Sequence, residues 1–508
     1  MNFESAEQAV SVDVSEIDLG APAAERDVLK GLEHYFLRSE AFKNMASKKK
    51  TVVLGNRGSG KSAIFQMLAA DARKRKSIAI ELAPEDYSYE LLRTALAAES
   101  EGAWAKLGAY AVAWKYLLYV LVMQELVRTS GGKPGKTPIG RITKYIRDNH
   151  PTNGLSKLSA LIGYMKRLEG LKVGPVEASL KTRELEKLYK LEEINELIPD
   201  LKEVLGKREV VVFVDELDRG WDGGEDAQAF VAGLFQACLT MNTVSPNLTI
   251  YMSLRQELYD NIPALYEDAQ KYRDLLERVS WNEAGLQSLI AARLRYAVPE
   301  LLGKSDEICW NALFAETLSY RQNRSFNYMI DRTLYRPREL ITFCTDAIDA
   351  ARQSNGHTPL DYAAITQAEE VYSEARAKDI AAEYRFQYPG LLSVFEVFRG
   401  GPHTLDRSTL ELKCLEIVTG EAVVTSEATN WAADLQVDDL ISVLWLVGFL
   451  RAQAVGGIKA QRRSGSSYLG PHQIGNLNLA NISRFQIHAM FRTYLGLKEP
   501  KNTGPASS

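Results

Sequence analysis

The stretch that decides the fold is "TVVLGNRGSGKSAIFQML", Thr51 to Leu68. Its first four residues are a short apolar run typical of a buried strand, and its last eight have the composition and spacing of a helix. Between them, Gly55–Ser62 fits the pattern G-x-x-x-x-G-K-[ST] in full. A strand before and a helix after are the context that this pattern requires. The stretch therefore predicts a phosphate-binding loop.

The chemistry of such a loop assigns a role to each residue type. Glycines let successive N–H groups turn inward around an anion, and the next helix directs its positive end to the same point. Lys61 then reaches the β- and γ-phosphates, and the Ser62 hydroxyl ligates Mg²⁺. ATP and Mg²⁺ are the expected cofactors, and the predicted contacts are Gly55, Asn56, Arg57, Gly58, Ser59, Gly60, Lys61, Ser62 and Ala63.

A second stretch, "VVVFVDELDRGW", begins with an apolar run typical of a strand, and carboxylates follow at the end of that predicted strand. Asp215 is the predicted magnesium ligand, acting through the water shell of the ion. Glu216 is predicted to orient or deprotonate the attacking water, because adjacent residues at a strand end point to different sides. A solvated strand end is the alternative, and the complete phosphate loop weighs against it.

Asp218 and Arg219 follow one turn later and leave two interpretations open. They form a structural pair that fixes the loop, or Arg219 serves a neighbouring subunit at an interface. Arg273 and Arg278 are equally eligible for that second role, and the sequence does not choose among the three arginines.

Two further segments carry candidate phosphate contacts. "LTIYMSLRQEL" is typical of a strand that ends in Ser253 and Arg255, where a polar residue could sense the γ-phosphate. An exposed strand-end arginine is the alternative. "YRPREL" places Pro337 in the first turn of a helix, between Arg336 and Arg338. A cation at a helix start is opposed by the helix dipole. This favours an anionic partner, with a plain helix start and solvated arginines as the alternative.

Composition sets the broad class of the protein. The chain has 508 residues, 46% hydrophobic and 25% charged, with a net charge of −4, enough for two to four domains. This slightly acidic balance argues against nonspecific nucleic-acid coating, though not against one basic patch. The four cysteines are far apart without a CxxC pair and are predicted to be reduced core residues. The N-terminus has no basic-then-apolar signal pattern, so a cytoplasmic location is expected.

The most apolar segment, Ala109–Gln124, raises the question of a membrane. It contains Lys115 and falls short of the roughly 20 apolar residues that span a bilayer. We expect a buried helix and no membrane partner, with a membrane contact as the alternative.

Strand, helix, strand, helix with apolar rather than alternating strands predicts an α/β fold with a parallel sheet covered on both faces. The domain boundaries that follow are an N-terminal helical segment (1–50), a P-loop core (51–90 and 200–277), a mainly helical insertion (91–199), a helical lid (278–382), a winged-helix-like domain (383–498) and a disordered tail (499–508).

Near the C-terminus, a Gly/Ser-rich segment carries three cations, Lys459, Arg462 and Arg463. Flexible small residues with cations suit the wing of a winged helix lying along a phosphate backbone, so these three are candidate DNA contacts. A solvated loop is the alternative, and such a domain is as often a protein-contact module as a DNA reader.

The segments "GNRGSGKSAIF", "VVVFVDELDR", "LTIYMSLRQELYDNI", "ERVSWNEAGLQSLIAARL" and "RPRELITFC" together resemble bacterial P-loop ATPases related to the KAP and STAND groups and to origin-recognition-type AAA proteins. The resemblance is nearest to an uncharacterised family found in mobile and defence-related gene clusters. It covers roughly residues 18–497. KAP proteins carry transmembrane segments within the ATPase region, whereas the corresponding insertion here offers only the short apolar helix near Ala109. Membrane residence is therefore not carried over.

This resemblance implies an additional-strand ATPase core, in which the sensing strand lies between the phosphate-loop strand and the acid strand. It also implies a helical lid, a C-terminal winged helix and nucleotide-controlled assembly, so a homo-oligomer is expected. Arg255 matches the first sensor, while Pro337 and Arg338 match the lid element.

Three functions are compatible with these features. The first is a Mg²⁺-dependent ATP hydrolase that switches a conformation or an assembly, in defence or signalling, with a separate protein effector. The second is a DNA-binding ATPase or loader that resembles origin-recognition proteins and uses the winged helix. The third is a nucleotide-binding scaffold with little hydrolysis, which the acid pair disfavours.

Overall fold

The computed structural model describes residues 12–82, 103–150, 191–217, 224–266, 269–320, 322–354, 357–453, 468–474 and 477–498. The strands in these ranges are β1 Val52–Leu54, β2 Ile78–Leu82, β3 Val210–Val214, β4 Leu248–Leu254, β5 Leu276–Arg278, β6 Thr404–Asp406, β7 Leu450–Gln453, β8 Tyr468–Leu469 and β9 Arg484–Ile487. The helices are α1 Ala24–Asp27, α2 Leu32–Tyr35, α3 Glu40–Ala46, α4 Lys61–Lys74, α5 Ala103–Ser130, α6 Pro138–Asn149, α7 Leu191–Leu205, α8 Glu225–Met241, α9 Gln256–Asn261, α10 Pro263–Tyr266, α11 Ala269–Tyr272, α12 Glu283–Ala297, α13 Asp306–Leu313, α14 Ser325–Ile330, α15 Pro337–Gln353, α16 Tyr362–Glu383, α17 Leu391–Glu396, α18 Arg407–Val418, α19 Ser426–Ala432, α20 Val437–Leu446 and α21 Ala489–Arg492.

The chain divides into two units. The sheet unit contains residues 38–56 and 60–280, and the helical unit contains residues 1–37, 57–59 and 281–508. The predicted N-terminal segment is therefore divided between the two units, and the boundary falls between residues 37 and 38. The finer domain boundaries given above stay predictions.

The sheet unit is built on five parallel strands in the order β2-β3-β4-β1-β5. Every residue of β3 and β4 is buried, as their continuous apolar sequences predict for strands covered on both faces. The strand β4 lies between the phosphate-loop strand β1 and the acid strand β3. The predicted α/β fold of the additional-strand P-loop type is therefore confirmed.

The apolar helix α5 packs against α8 in the core of the sheet unit. A Cβ at Gly233 would lie 2.7 Å from the backbone nitrogen of Ala111, so the close approach of the two helices requires a glycine there. The indole of Trp114 donates a hydrogen bond to the carbonyl of Phe230 at 3.2 Å. By length and composition Tyr110–Ser130 could cross a membrane, but 78% of its most apolar window is buried by protein. The predicted buried helix is confirmed.

The helical unit has a first core made by α12 to α16 and the N-terminal arm, residues 12–37. Val14, Ile17 and Leu19 of the arm are buried in that core. Asp27, also of the arm, pairs with Arg293 of α12 at 2.7 Å, and both side chains are buried. The arm is thus fixed to the helical unit by apolar burial and by one buried ion pair.

A second core of the helical unit combines three helices, α18, α19 and α20, with an antiparallel sheet of order β6-β9-β7-β8. Three helices followed by the hairpin β7–β8 form the predicted winged-helix-like arrangement. The long helix α16 belongs to both cores. Ile365 and Tyr372 lie in the first core, while Ala377 and Ile380 lie in the second.

The four cysteines occupy core positions, as predicted. They are Cys238, Cys309, Cys344 and Cys414, and each is buried with a free thiol. Burial raises the pKa of the Cys414 thiol to about 12. A buried thiol that stays protonated is a weak nucleophile, so these residues serve packing.

Candidate functional site

The phosphate loop connects β1 to α4 with two left-handed glycines, Gly58 at φ 77° and Gly60 at φ 99°. No side chain of the described residues caps the N-terminus of α4 at Gly60. The first N–H groups of α4 are therefore left for another acceptor, and the helix dipole favours an anion there. A Cβ at Gly60 would meet nothing within 4 Å, so the loop has open space at this position.

Lys61 bends back over this loop. Its Nζ donates hydrogen bonds to the carbonyl oxygens of Gly55 at 2.8 Å and Asn56 at 3.0 Å. The hydroxyl of Ser59 is buried without a hydrogen-bond partner among the described residues. An ammonium held over glycine-rich backbone and an unpaired buried hydroxyl both fit a phosphate ligand.

Strand register places Asp215 at the same edge of the sheet as this loop. Val214 is level with Met252, and Met252 is level with Val52 of β1. Asp215 follows directly, and its backbone N–H donates to the carbonyl of Leu82 at 3.1 Å, which continues the pairing of β3 with β2. The carboxyl ends of parallel strands share one edge, where α/β proteins bind their ligands.

The acid pair has an unusual backbone. Glu216 has φ 58°, a left-handed conformation that is uncommon for a residue with a side chain. The Asp215 carboxylate accepts a hydrogen bond through Oδ1 from the backbone N–H of Glu216 at 2.9 Å, which stabilises this turn. Such strain is concentrated at functional sites. The separate roles predicted for the two carboxylates stay predictions.

Arg255 directly follows β4, at the edge where the phosphate loop begins. Leu254 is level with Leu54, so Arg255 is one position beyond the strands, as Gly55 is. Its side chain is 16% exposed and its Nη1 lies 3.5 Å from Oε1 of Glu257. The alternative of an exposed strand-end arginine is therefore not what the structure shows. A role as sensor stays a prediction.

The helical unit contains a pocket that we call the arginine pocket. Its lining combines two phosphate-loop residues with residues from α15, its N-cap and α16: Arg57, Gly58, Arg336, Arg338, Glu339, Arg376, Asp379, Ile380 and Glu383. The backbone N–H of Arg338 donates to the carbonyl of Gly58 at 3.4 Å. The predicted element Pro337–Arg338 thus lies against the tip of the phosphate loop.

The two arginines that flank Pro337 have different surroundings. Arg336 is buried, and its Nη1 lies 2.7 Å from Oε2 of Glu383, so it is neither solvated nor available for an exogenous anion through that nitrogen. Burial and the neighbouring guanidinium of Arg57 lower the pKa of Arg338. The anionic partner inferred from the sequence therefore fits Arg338 better than Arg336.

Other predicted site residues lie elsewhere. Arg273 and Arg278 are exposed residues of the sheet unit. The remaining ones, Asp218, Arg219, Lys459, Arg462 and Arg463, lie outside the described residues, as does the tail 499–508. Their roles stay predictions.

Sequence reasoning missed four residues. Arg376, Asp379 and Glu383 come from α16, which no motif marks, and only the fold brings them to Arg57. Trp281 is the fourth, and its indole donates to the carbonyl of Ser59 at 2.8 Å. Trp281 directly precedes Asn282, the N-cap of α12, and this position can be recognised in the sequence. Its contact with the phosphate loop is a tertiary contact, which the sequence does not reveal.

Fold and site together define the class of this chain as a P-loop nucleotide-binding protein. Comparison with known families supports this class and narrows it. Residues 25–89, which contain the phosphate loop, match the model described as ORC-CDC6-like. Residues 284–381, from α12 to α16, match the FunZ-associated C-terminal helical domain. The ATP-binding region is thus similar to that of origin-recognition-type ATPases.

Individual proteins that are similar to this chain share 31% or less of its sequence over the aligned regions. A transposon gamma-delta protein of 80.3 kDa from Escherichia coli strain K12 is 25% identical over 503 residues, covering 95% of this chain and 67% of that protein. The allergen Alt a 2 of Alternaria alternata is 31% identical over 126 residues, 24% of this chain and 62% of its own length. The ORC2 protein of Aeropyrum pernix, solved as ADPNP and ADP complexes, aligns with 89% of this chain and 91% of its own at 9% identity and a TM-score of 0.29.

Proposed function

We propose that the protein is a Mg²⁺-dependent ATPase whose nucleotide state switches a conformation or an assembly that a separate protein partner reads. The observation that carries this proposal is the arrangement at one sheet edge. A complete phosphate loop and the strained Asp215–Glu216 turn both follow parallel strands of one sheet. Binding alone needs only the loop, whereas a second carboxylate beside the metal ligand suits hydrolysis.

Each site residue has a separate role in this proposal. Lys61 exchanges its two carbonyl partners for oxygens of the β- and γ-phosphates. Ser62 and Asp215 would hold a magnesium ion, which would neutralise charge on the phosphates when bound. Glu216 accepts a proton from the attacking water, and Arg255 stabilises the terminal phosphate. Among the described residues Asp215 Oδ2 accepts no hydrogen bond, which leaves it available to the ion or its water shell.

The similarity to a transposon protein and to a FunZ-associated domain supports a setting on mobile elements. Within that setting we propose a role in defence or signalling, a cytoplasmic location and a homo-oligomer controlled by ATP. The resemblance to assembly-forming ATPases is the support for the oligomer.

The rival function is a DNA-binding loader, supported by the ORC-CDC6-like match and the winged-helix-like domain. In winged helices that read DNA, the helix before the hairpin enters the major groove with basic or amide side chains. Here that helix is α20, "VDDLISVLWL", which has no lysine or arginine. Its exposed residues are Asp438, Asp439, Ser442 and Leu446. An acidic and apolar helix favours a protein partner, which leaves DNA contact to the basic wing.

The deciding experiment compares wild type with Glu216→Gln and Lys61→Ala in ATP binding and in phosphate release. We expect Glu216→Gln to bind ATP normally and to hydrolyse it at least about a hundredfold more slowly, because it cannot accept the proton. Lys61→Ala should lose binding. Normal turnover in Glu216→Gln would refute the assigned base, and unchanged ATP affinity in Lys61→Ala would refute the nucleotide site.

Light scattering after size exclusion, with and without ATP and duplex DNA, separates the three functions. ATP-dependent mass without DNA supports the switch. A DNA-dependent shift supports the loader. A mass that never changes, together with slow turnover, supports the scaffold.

A further inference from the structure

We propose that the sheet unit carries a surface that binds the phosphate backbone of a double-stranded nucleic acid. The surface lies at the edge of the parallel sheet opposite the edge that bears the phosphate loop. It shares no residue with the nucleotide site or the wing, and it does not require ATP hydrolysis. This binding therefore goes beyond the proposed function and stands independently of it.

Three basic connectors form this surface, which we call the basic edge. Residues 48–50 precede β1, residues 73–76 end α4 and precede β2, and residues 207–208 precede β3. Each of these nine residues is lysine or arginine. The three strands belong to one parallel sheet, so their starting points lie at the same edge.

Glu209 holds the three connectors together. Its Oε1 lies 2.6 Å from the Nζ of Lys48, and its Oε2 lies 3.8 Å from a guanidinium nitrogen of Arg75. Its backbone carbonyl accepts a hydrogen bond from the N–H of Ile78 at 2.9 Å. The Nζ of Lys48 also donates to the carbonyl of Pro246, just before β4, at 3.3 Å. Residues that are far apart in the sequence therefore form one continuous surface.

Local structure explains only part of this charge. Arg73 and Lys74 lie in the last turn of α4, where a cation stabilises the helix through its dipole. Lys48 and Lys76 each follow a helix in the left-handed conformation, with φ of 58° and 62°. Glycine or asparagine is the residue that this conformation favours after a helix. Lysine at both positions therefore points to a requirement for positive charge at the surface.

The cations of the basic edge exceed the carboxylates that neutralise them. Three carboxylates among the described residues form ion pairs with it, and these are Glu81, Glu203 and Glu209. Four cations have no carboxylate of the described ranges within ion-pair distance, and these are Lys49, Lys50, Lys76 and Arg208. Three of the four are exposed, and Lys50 is half-buried. Four positive charges are thus left for an anionic partner.

The composition of the basic edge favours a phosphate backbone over a protein surface. Protein interfaces are depleted of lysine and are centred on apolar or aromatic side chains. The three connectors contain neither kind. In the part of the chain that the structure describes, every exposed large hydrophobic side chain belongs to the helical unit. Single strands are bound by stacking of their bases on aromatic rings, so a connector surface without such rings favours a double helix.

The dimensions of the sheet also suit a double helix. From β2 to β1 the sheet crosses three strand intervals, a distance of roughly 14 Å at about 4.8 Å each. A duplex segment of that length carries about eight phosphate charges. The four unpaired cations can neutralise about half of them, as a surface that contacts one side of the duplex would. Such contacts bind without reading the base sequence.

The test measures binding of labelled duplexes to the full-length protein by fluorescence anisotropy at salt concentrations between roughly 50 and 200 mM. The duplexes are a DNA and an RNA of the same sequence, two helical turns long. One variant replaces the four unpaired cations: Lys49→Gln, Lys50→Gln, Lys76→Gln and Arg208→Gln. Each phosphate contact contributes about 0.9 to the slope of log affinity against log salt, so the slope should fall by about 3 to 4. Across this salt range the wild type should lose about a hundredfold more affinity than the variant.

A matched control removes three exposed lysines of the sheet unit outside the connectors: Lys133→Gln, Lys136→Gln and Lys144→Gln. This control should keep the wild-type slope, because the position of the cations and not the net charge makes the surface. Both variants should keep the wild-type circular dichroism and ATP affinity, since the basic edge lies away from the phosphate loop.

Binding of either duplex that depends on the four cations supports the basic edge, and the duplex that binds more tightly identifies the class of nucleic acid. An equal slope in wild type and the folded quadruple variant overturns it. An equal loss in the control variant also overturns it, because net charge would then be sufficient. Binding to vesicles of phosphatidylcholine and phosphatidylserine, or to polyglutamate, but to neither duplex would overturn nucleic acid as the partner.

Discussion

Substitution of Asp27 by asparagine tests how the N-terminal arm is held to the helical unit. The Asp27 carboxylate is 1% exposed and accepts hydrogen bonds from the Ala21 N–H at 2.6 Å and the Tyr35 hydroxyl at 2.8 Å. It also pairs with Arg293 at 2.7 Å, and that guanidinium is 7% exposed and lies 4.7 Å from the centre of the Tyr35 ring. Asparagine keeps the shape and one acceptor oxygen but leaves a buried cation without its partner.

The expected cost is about 3 kcal/mol, the lower end of the range for breaking a buried ion pair, because the two neutral hydrogen bonds can persist. Removing both charges in Asp27→Asn/Arg293→Met should recover more than half of this loss. The recovery is incomplete because Arg293 also donates to the carbonyl of Leu19, which then loses its partner.

Urea unfolding of the four proteins in this mutant cycle, followed by fluorescence and circular dichroism, gives the coupling between the two side chains. A loss below about 1 kcal/mol in Asp27→Asn would contradict the assigned burial of the pair. Equal instability of the single and double variants would also refute the reasoning, since the penalty would then not arise from the unpaired cation.

Two further predictions concern acidity and DNA. Burial, with a smaller contribution from Asp349, raises the pKa of Asp346 to about 6 despite the opposing charge of Arg376. The ionised carboxylate therefore destabilises the folded state, so the wild-type protein should gain stability as the pH falls from 7 through 6 towards 4. The Asp346→Asn variant should be more stable than wild type at neutral pH and should lack that gain. Identical pH profiles of the two proteins in urea unfolding would refute this prediction. Reversing the charges of Lys459, Arg462 and Arg463 should weaken duplex binding and reduce its salt dependence between roughly 50 and 200 mM, as measured by fluorescence anisotropy, if the wing binds DNA. Unchanged anisotropy would leave the wing as a plain loop.

The sequence by itself determined the P-loop fold and predicted two parts of the candidate site, the phosphate loop and the acid pair. A phosphate loop has a short, contiguous pattern because neighbouring backbone groups do the binding, so Gly55–Ser62 could be recognised without tertiary information. The same holds for Asp215 and Glu216, since a continuous apolar run that ends in carboxylates identifies a buried strand and its edge. Even the position of β4 between β1 and β3 followed from the resemblance.

Only the tertiary structure decided the arginine pocket. Arg57 lies far along the chain from Arg338 and Arg376, and their convergence depends on how α15 and α16 pack in the helical unit. Sequence could not tell the two arginines beside Pro337 apart, because both occupy a helix start. Their difference is a matter of partners: Glu383 reaches Arg336 from the end of another helix, whereas Arg338 meets a second cation. Pairing between distant charges is a property of the packed chain, and here it gives Arg336 a carboxylate partner from another helix.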